Sequence, residues 1–419
     1  MELQLPKGTR DFAQGEKLLR DRIVATLKET FELYGFAPLE TPVFERYEVL
    51  SSKYAGGTEI LKETFRFKDQ GNRDLGLRYD LTVPLARFIG MNPTTKMPFK
   101  RYQIGEVFRD GPVATARYRQ FKQCDVDVVG ASSLAAEAEI IALANYAFKK
   151  LGLNAVVKFN SRKLLNDILD YYSVPKEKQD AVILSIDKLE KFGETVVKNE
   201  LKEQWIEESK ILKIMDMVSL KGTNEEKIAQ LSKILKDSPG MKEVEHVLGI
   251  VSDAEFDVSL ARGLSYYTGI VIECYLKDSS VKSSVCGGGR YDNMIGNFLG
   301  SKSYPAVGIS FGLDRLYDAM LEKEQAQQKT NTKVFIIPIN TVKQSIELAQ
   351  KLRDKGINTD VDLMDRSISK NLDYANSLGI PYVVIIGKKE LEENKFKLKD
   401  MKSGNEEMLD AEELVKKVL

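Results

Sequence analysis

Apolar residues recur at helical spacing near the N-terminus: Leu18, Leu19, Ile23, Leu27 and Phe31 predict a helix from Gln14 to about Tyr34. Gly35 ends it, and residues 36–44, which include two prolines, read as extended. From Phe65 to about Val129 the apolar runs shorten into strand-like pieces separated by turns. These are Thr64–Phe67, Leu75–Arg78, Arg101–Phe108 and Tyr118–Val129, the last two flanking a hairpin-like loop at Asp110–Arg117. Ser133–Leu151 returns to helix. Asn160 to about Gly249 is rich in lysine and glutamate, favours helix, carries the single tryptophan (Trp205) and has few strand signals. It reads as a helical module set between two halves of a sheet-based domain. Strand patterns resume at Ile270–Tyr275 and Ala306–Phe311, and a helix follows from Gly312.

The polar stretch Glu322–Thr332 reads as a linker, and beyond it the rhythm becomes alternating. A strand (Lys333–Ile339) precedes a helix (Val342–Lys355), then come a strand (Asn358–Leu363), a helix (Ser367–Leu378) and a strand (Tyr382–Ile386). That order predicts a small α/β domain with a parallel sheet, closed by a hairpin near Phe396–Met401 and a helix from Asp410. The expected organisation is a domain over 1–325 interrupted at about 160–249, a linker over 326–332, and an α/β domain over 333–419.

Composition narrows the chemistry more than the fold. Sixty-two basic residues balance 62 acidic ones, so net charge points to no nucleic-acid partner, although a local basic face can coexist with zero net charge. No apolar run approaches a membrane span and the start lacks a signal-peptide pattern. Three scattered cysteines make neither a disulfide framework nor a CxxC metal site, and read as reduced thiols of a cytoplasmic protein. One histidine, His246, excludes a Ser-His-Asp relay and zinc sites built from several histidines. Chemistry here has to run on arginines, carboxylates, tyrosines or a bound metal.

Four segments are too specialised for plain scaffolding. Leu77–Pro84 carries Asp80 and Thr82, which could bind a cationic amine; on that segment alone a capped strand end is the simpler reading. Tyr102–Arg109 and Arg117–Asp127 form the flanks of the hairpin, with Phe121, Gln123, Asp125 and Asp127 on one strand face. Buried carboxylates there would need cationic partners, and an exposed charged face explains them equally well. In Leu260–Gly269, glycines flank Arg262 and the pair Tyr266–Tyr267; arginine offers a forked donor for phosphate or carboxylate. Finally, Gly287, Gly288 and Gly289 allow a backbone to approach a ligand closely, and Gly312 opens a helix carrying Arg315. Neither GxGxxG nor GxxxxGK[ST] is present there.

Together these segments resemble the signature motifs of class II aminoacyl-tRNA synthetases, specifically the histidyl-tRNA synthetase family. Lys7–Phe12 resembles the family's start, Pro42 its motif 1 proline at a dimer interface, Phe108–Asp127 its motif 2 and Gly312–Arg315 its motif 3. Arg262–Gly269 and Gly287–Asp292 resemble the two segments peculiar to the histidine enzymes, and residues 333–419 its anticodon-binding domain. The resemblance implies an α+β catalytic domain on a mainly antiparallel sheet with a helical insertion, plus a C-terminal α/β anticodon-binding domain. It implies ATP and Mg²⁺, histidine, the histidine tRNA as partner, a homodimer and no membrane. Arg109, Arg117 and Arg315 would meet the ATP phosphates, Phe121 would stack on adenine, and Arg262 would reach the α-phosphate and the histidine carboxylate. Arg109 and Arg262 would be the catalytic pair. Asp80, Thr82 and Gln123 would take the amino group, Asp127 and Tyr267 the imidazole with Tyr266 beside them, and Gly287–Gly289 would form a supporting loop. The insertion would clasp the acceptor arm.

Two positions depart from the pattern: Ser265 stands where the family usually has aspartate, and Asp80 where many members have glutamate. The rival reading is a non-catalytic, histidine-sensing paralogue like the regulatory subunit of ATP phosphoribosyltransferase. Against it stand four arginines at the motif positions and the extra C-terminal domain. A class II enzyme for threonine or proline is opposed by the Arg262–Gly269 segment.

Overall fold

The computed structural model describes residues 2–51, 61–113, 118–263, 266–298, 303–323 and 328–419. The chain divides into two compact units, Met1–Arg10 with Ile23–Lys323, and Asp11–Arg22 with Glu324–Leu419.

The strands of the first unit are β1 (Ala37–Pro38), β2 (Phe44–Arg46), β3 (Arg66–Lys68), β4 (Asp74–Leu77), β5 (Phe99–Phe108), β6 (Gln120–Val129), β7 (Ala155–Ser161), β8 (Glu255–Phe256), β9 (Ile270–Leu276), β10 (Cys286–Arg290) and β11 (Ala306–Gly312). Eight of them form one sheet in the order β1-β5-β6-β11-β10-β9-β7-β8, antiparallel except for its two outermost pairs. A small antiparallel sheet, β2-β4-β3, stands beside it in sequence. Period-two alternation gives the large sheet two different faces. One cross-strand row runs Arg101, Asp127, Gly308, Gly289; the next row on that face runs Gln103, Asp125, Ser310, Gly287, Glu273. The row after these, Ile104, Cys124, Phe311, Cys286 and Cys274, belongs to the other face. There Phe311 meets Phe31 of the helix Gln14–Leu33 and Phe148 of the helix Ala135–Lys150. An apolar face buried under helices fixes the register, and the polar face is left to hold the chemistry. All three cysteines are buried and none is in a disulfide.

The helical module begins where β7 ends and returns at β8, β7's parallel neighbour. Seven helices fill it, from Arg162–Tyr171 to Pro239–Ile250. Its stem is closed by Ser161, whose hydroxyl accepts from the Lys163 and Leu164 N–H groups and donates to Glu243 at 2.6 Å. Because entry and exit lie on adjacent strands, the module interrupts the chain without interrupting the sheet. His246 is exposed on its last helix.

Two elements differ from expectation. Thr82–Met91 is a helix, not part of a run of strands and turns. Asp80 caps it, accepting from the N–H groups of Thr82 (3.0 Å) and Val83 (2.9 Å), which are otherwise orphaned in a first turn. Gly287–Gly289 do not form a loop; they are the interior of β10, because strands packed closely on both sides leave no room for a Cβ. A Cβ on Gly288 would lie 2.0 Å from the Gly308 carbonyl oxygen, and one on Gly289 would lie 2.5 Å from that of Ile270.

In the second unit β12 (Val334–Pro338), β13 (Thr359–Val361), β14 (Tyr382–Ile386), β15 (Phe396–Asp400) and β16 (Glu406–Leu409) form a sheet ordered β13-β12-β14-β15-β16. The first three strands are parallel, linked through the helices Val342–Arg353 and Ile368–Leu378; β15 and β16 add an antiparallel hairpin. Asp410 caps the last helix, accepting from Glu412 and Glu413 N–H. The loop after β13 is braced by the buried Asp362, which accepts from the Met364 and Arg366 N–H groups and from Asn371.

Candidate active site

Two cavities open on the polar face of the large sheet and share five lining residues: Arg109, Gln123, Arg262, Gly287 and Ser310. The smaller, about 180 Å³, is lined also by Asp80, Thr82, Asp125, Asp127, Tyr266, Tyr267 and Tyr291. The larger, about 350 Å³, is lined also by Phe121, Glu273, Asp314 and Arg315. Every residue named for the amino acid lines the smaller cavity; Arg109, Phe121 and Arg315, named for ATP, line the larger. Gly288 borders only the smaller cavity, and Gly289 borders neither. Arg117 and Ser265 lie outside the described residues.

The smaller cavity is a concentration of buried charge. Asp125 and Asp127 are each 3 % exposed, and beneath them Arg101 is fully buried. Arg101 Nη2 stands 2.8 Å from Asp127 Oδ2 and donates to the Leu81 carbonyl at 3.2 Å. The Tyr291 hydroxyl donates to Asp127 Oδ1 at 2.5 Å. Burial raises the pKa of Asp80, Asp125 and Asp127 above the usual carboxylate range, with the Arg101 charge opposing it at all three. At Asp125 the neighbouring Asp127 charge adds to the rise. Gln123 donates to the Ser310 hydroxyl at 3.0 Å, while Gln123 Oε1 and Asp125 Oδ1 have no hydrogen-bond partner among the described residues. An unmatched buried polar atom costs about 1–3 kcal/mol. Unmatched acceptors around a cavity suit a ligand that brings donors and positive charge.

Arginines dominate the larger cavity. Arg109, the residue directly after β5, lies over the rings of Tyr79 (4.1 Å) and Phe121 (4.9 Å). Arg315, in the first turn of the helix Leu313–Lys323, donates to the Ser284 carbonyl; burial and the nearby Arg109 charge lower its pKa. Arg262 Nη1 stands 2.6 Å from Glu273 Oε1, and its guanidinium is 5.6 Å from the Tyr267 ring. Guanidiniums brought together in this way need anionic company, and an oligophosphate supplies it. Among the described residues no group of three metal-ligating side chains occurs.

Glycines make the approach possible. A Cβ on Gly287 would lie 1.9 Å from Arg262 Nη1, and one on Gly308 would lie 2.0 Å from Asp127 Oδ1. With the amino acid and ATP that the resemblance implies, Gly308→Ala should therefore push the Asp127 carboxylate away from its place and raise the amino-acid KM about tenfold, equivalent to roughly 1.4 kcal/mol. The ATP KM should stay within about twofold. Steady-state exchange kinetics check this, and an unchanged amino-acid KM contradicts it.

Arg101, Tyr291, Glu273 and Ser310 carry no role in the sequence reading. One signal was available for Arg101: two carboxylates on a buried strand face demand a cation, and Arg101 is the residue of the neighbouring strand in register with Asp127.

The family model for histidyl-tRNA synthetase matches residues 8–316, and that for an anticodon binding domain matches residues 333–419. A histidine–tRNA ligase of Bacillus cereus is 46% identical, over 97% of this chain and 97% of the relative. The crystal structure of a histidyl-tRNA synthetase from Nostoc superimposes with a TM-score of 0.88 at 32% identity, covering 100% of this chain and 99% of that one. A Bacillus halodurans structure described as an ATP phosphoribosyltransferase regulatory subunit/histidyl-tRNA synthetase shares the fold (TM-score 0.77, 22% identity, 92% of this chain and 98% of that one). With the family model spanning most of the chain and relatives matched end to end, the chain belongs to the histidyl-tRNA synthetase family.

Proposed function

We propose that this chain activates histidine with ATP and transfers it to the 3′ end of the histidine tRNA, acting as a histidine–tRNA ligase. One observation supports the two-substrate reading above others: the two cavities meet at Arg109 and Arg262. A histidine in the smaller cavity then turns its carboxylate toward the α-phosphate of ATP in the larger. The carboxylate is already ionised at neutral pH, so its oxygen attacks the α-phosphorus without a protein base, and pyrophosphate leaves. Charge grows on the α-phosphate oxygens, where fixed arginines stabilise it most. In the second step a terminal ribose hydroxyl of the tRNA attacks the carbonyl of the adenylate and AMP leaves.

In the smaller cavity Asp80, Thr82 and Gln123 take the ammonium group. Asp127 and Tyr267 take the imidazole, with Tyr266 at their side. A ligand lacking imidazole hydrogen bonds would leave those groups unpaired in a buried place, which supports strong rejection without an editing step. In the larger cavity Arg109, Arg315 and, from its loop, Arg117 hold phosphates, and Phe121 meets the adenine. Mg²⁺ bound with ATP would neutralise phosphate charge and would need only one or two protein carboxylates besides phosphate oxygens; Asp314, which lines that cavity, would supply one.

Pro42, at the motif 1 position, supports a homodimer. Three buried cysteines outside any disulfide fit a cytoplasmic setting, and no helix among the described residues is long and apolar enough to cross a membrane. ATP–pyrophosphate exchange with each of the twenty amino acids tests the whole reading. Exchange with histidine alone is expected; exchange with none would leave a histidine-sensing protein instead.

A further inference from the structure

Arg262 is gripped from two sides, and one grip comes from the helical insertion. The residue sits at φ = +56°, a left-handed backbone conformation that a side chain other than glycine keeps only when its surroundings impose it. Its guanidinium is fixed by Glu273 at 2.6 Å, and the other oxygen of Glu273 receives the Tyr275 hydroxyl. Its backbone is fixed differently. Asp187 directly follows the insertion helix Lys176–Ile186, and its carboxylate lies against the Arg262–Gly263 backbone. Gly263 leaves space for that carboxylate, since a Cβ there would lie 3.0 Å from Asp187 Oδ2. Burial raises the Asp187 carboxyl above its usual range, against the pull of Lys191, the Arg262 guanidinium and the Arg262 N–H. Ala261, the residue before Arg262, is 1% exposed and packs in the insertion's own core with Ile183, Ile186 and Ile214.

We propose that the insertion is a working part of the adenylate-forming site: Asp187 and Ala261 set the backbone of Arg262, and Glu273 sets its guanidinium. Asp187 and Glu273 are positioning residues in this scheme, which rests on the role given above to Arg262. The physical requirement is orientation. A donor that must meet charge appearing only in the transition state loses its effect when displaced by about 1 Å, a shift worth up to about 10²-fold in rate.

The test is a double-mutant cycle read by histidine-dependent exchange. Asp187→Ala should lower kcat about 10- to 100-fold while the KM values for histidine and ATP stay within about threefold. Asp187→Asn, which keeps an accepting oxygen, should recover most of the loss. In the Arg262→Ala background, Asp187→Ala should cost less than about twofold, because the arginine it positions is gone. Equal losses in both backgrounds, or no loss in either, overturn the proposal. If Asp187→Ala fails to fold, Asp187→Asn and Glu273→Gln enter the same cycle and are judged by the same coupling. Wild-type exchange by Arg262→Ala alone would remove the role of Arg262 and this proposal with it, whereas additive losses leave that role standing and remove only the clamp.

Discussion

Arg262→Ala should lower histidine-dependent ATP–pyrophosphate exchange by about 10²–10³-fold, the range seen when one transition-state donor is deleted from a preorganised site. The side chain stands where the two cavities join, and it is only partly engaged at rest: one of its terminal nitrogens is held by Glu273. In the proposed mechanism its contact with substrate strengthens as negative charge gathers between the histidine carboxylate and the α-phosphate. The loss should then fall on kcat, and calorimetric affinity for histidine should change by less than about fivefold, since the proposal has Asp80, Asp127 and Gln123 hold the amino acid independently. Glu273 keeps its Tyr275 partner in the variant, so the far-ultraviolet spectrum and melting temperature should barely move. Unchanged exchange would sink the role assigned to Arg262. A loss appearing wholly as a weaker histidine KM would make it a binding residue only.

Arg101→Met should destabilise the protein by up to about 3–5 kcal/mol where its carboxylate partners are ionised, because removing one partner from a buried ion pair strands the other. Arg101 is the one cation whose charge acts on Asp80, Asp125 and Asp127 together among the causes that shift all three. Methionine fills similar space without replacing that charge. The pH dependence separates electrostatics from packing. The folded pKa of Asp125 and Asp127 is already raised, so these groups contribute stability that is complete below their unfolded pKa and lost as pH rises through the folded value. Without Arg101 the folded values rise further. The deficit of the variant should therefore be larger at pH 8 than at pH 5 and shrink toward the ordinary carboxylate range. Urea unfolding at pH 8 and pH 5 measures it, and a deficit equal at both would assign the loss to packing.

Much of the site could be read one strand at a time. The alternation in β6 put Phe121, Gln123, Asp125 and Asp127 on one face, and that face borders both cavities. Relations between segments distant in sequence were less legible. Arg101 became meaningful only when the β5–β6 register set it opposite Asp127. Asp187 is far along the chain from Arg262, and nothing in either segment announces the other. Thr82–Met91 escaped because it is buried at five of its ten positions and so lacks a polar stripe to betray a helix. Strand β10 escaped because glycine usually marks turns. Here its small size serves the neighbours instead, admitting the Arg262 side chain and the adjacent backbones.

The place of β11 between β6 and β10 has a consequence for how the protein is made. A growing chain completes the β5–β6 hairpin long before residues 306–312 leave the ribosome. Until then the inner edge of β6 carries unpaired backbone groups, a template for pairing with another chain. The whole helical insertion is synthesised in that interval, folding locally and fast while the sheet waits for its central strand. Cavity walls contributed by β6, β10 and β11 thus close together, late. A nascent chain stalled inside β10 would present a bare strand edge beside an otherwise finished module, and would be a substrate for chaperones before it could be an enzyme.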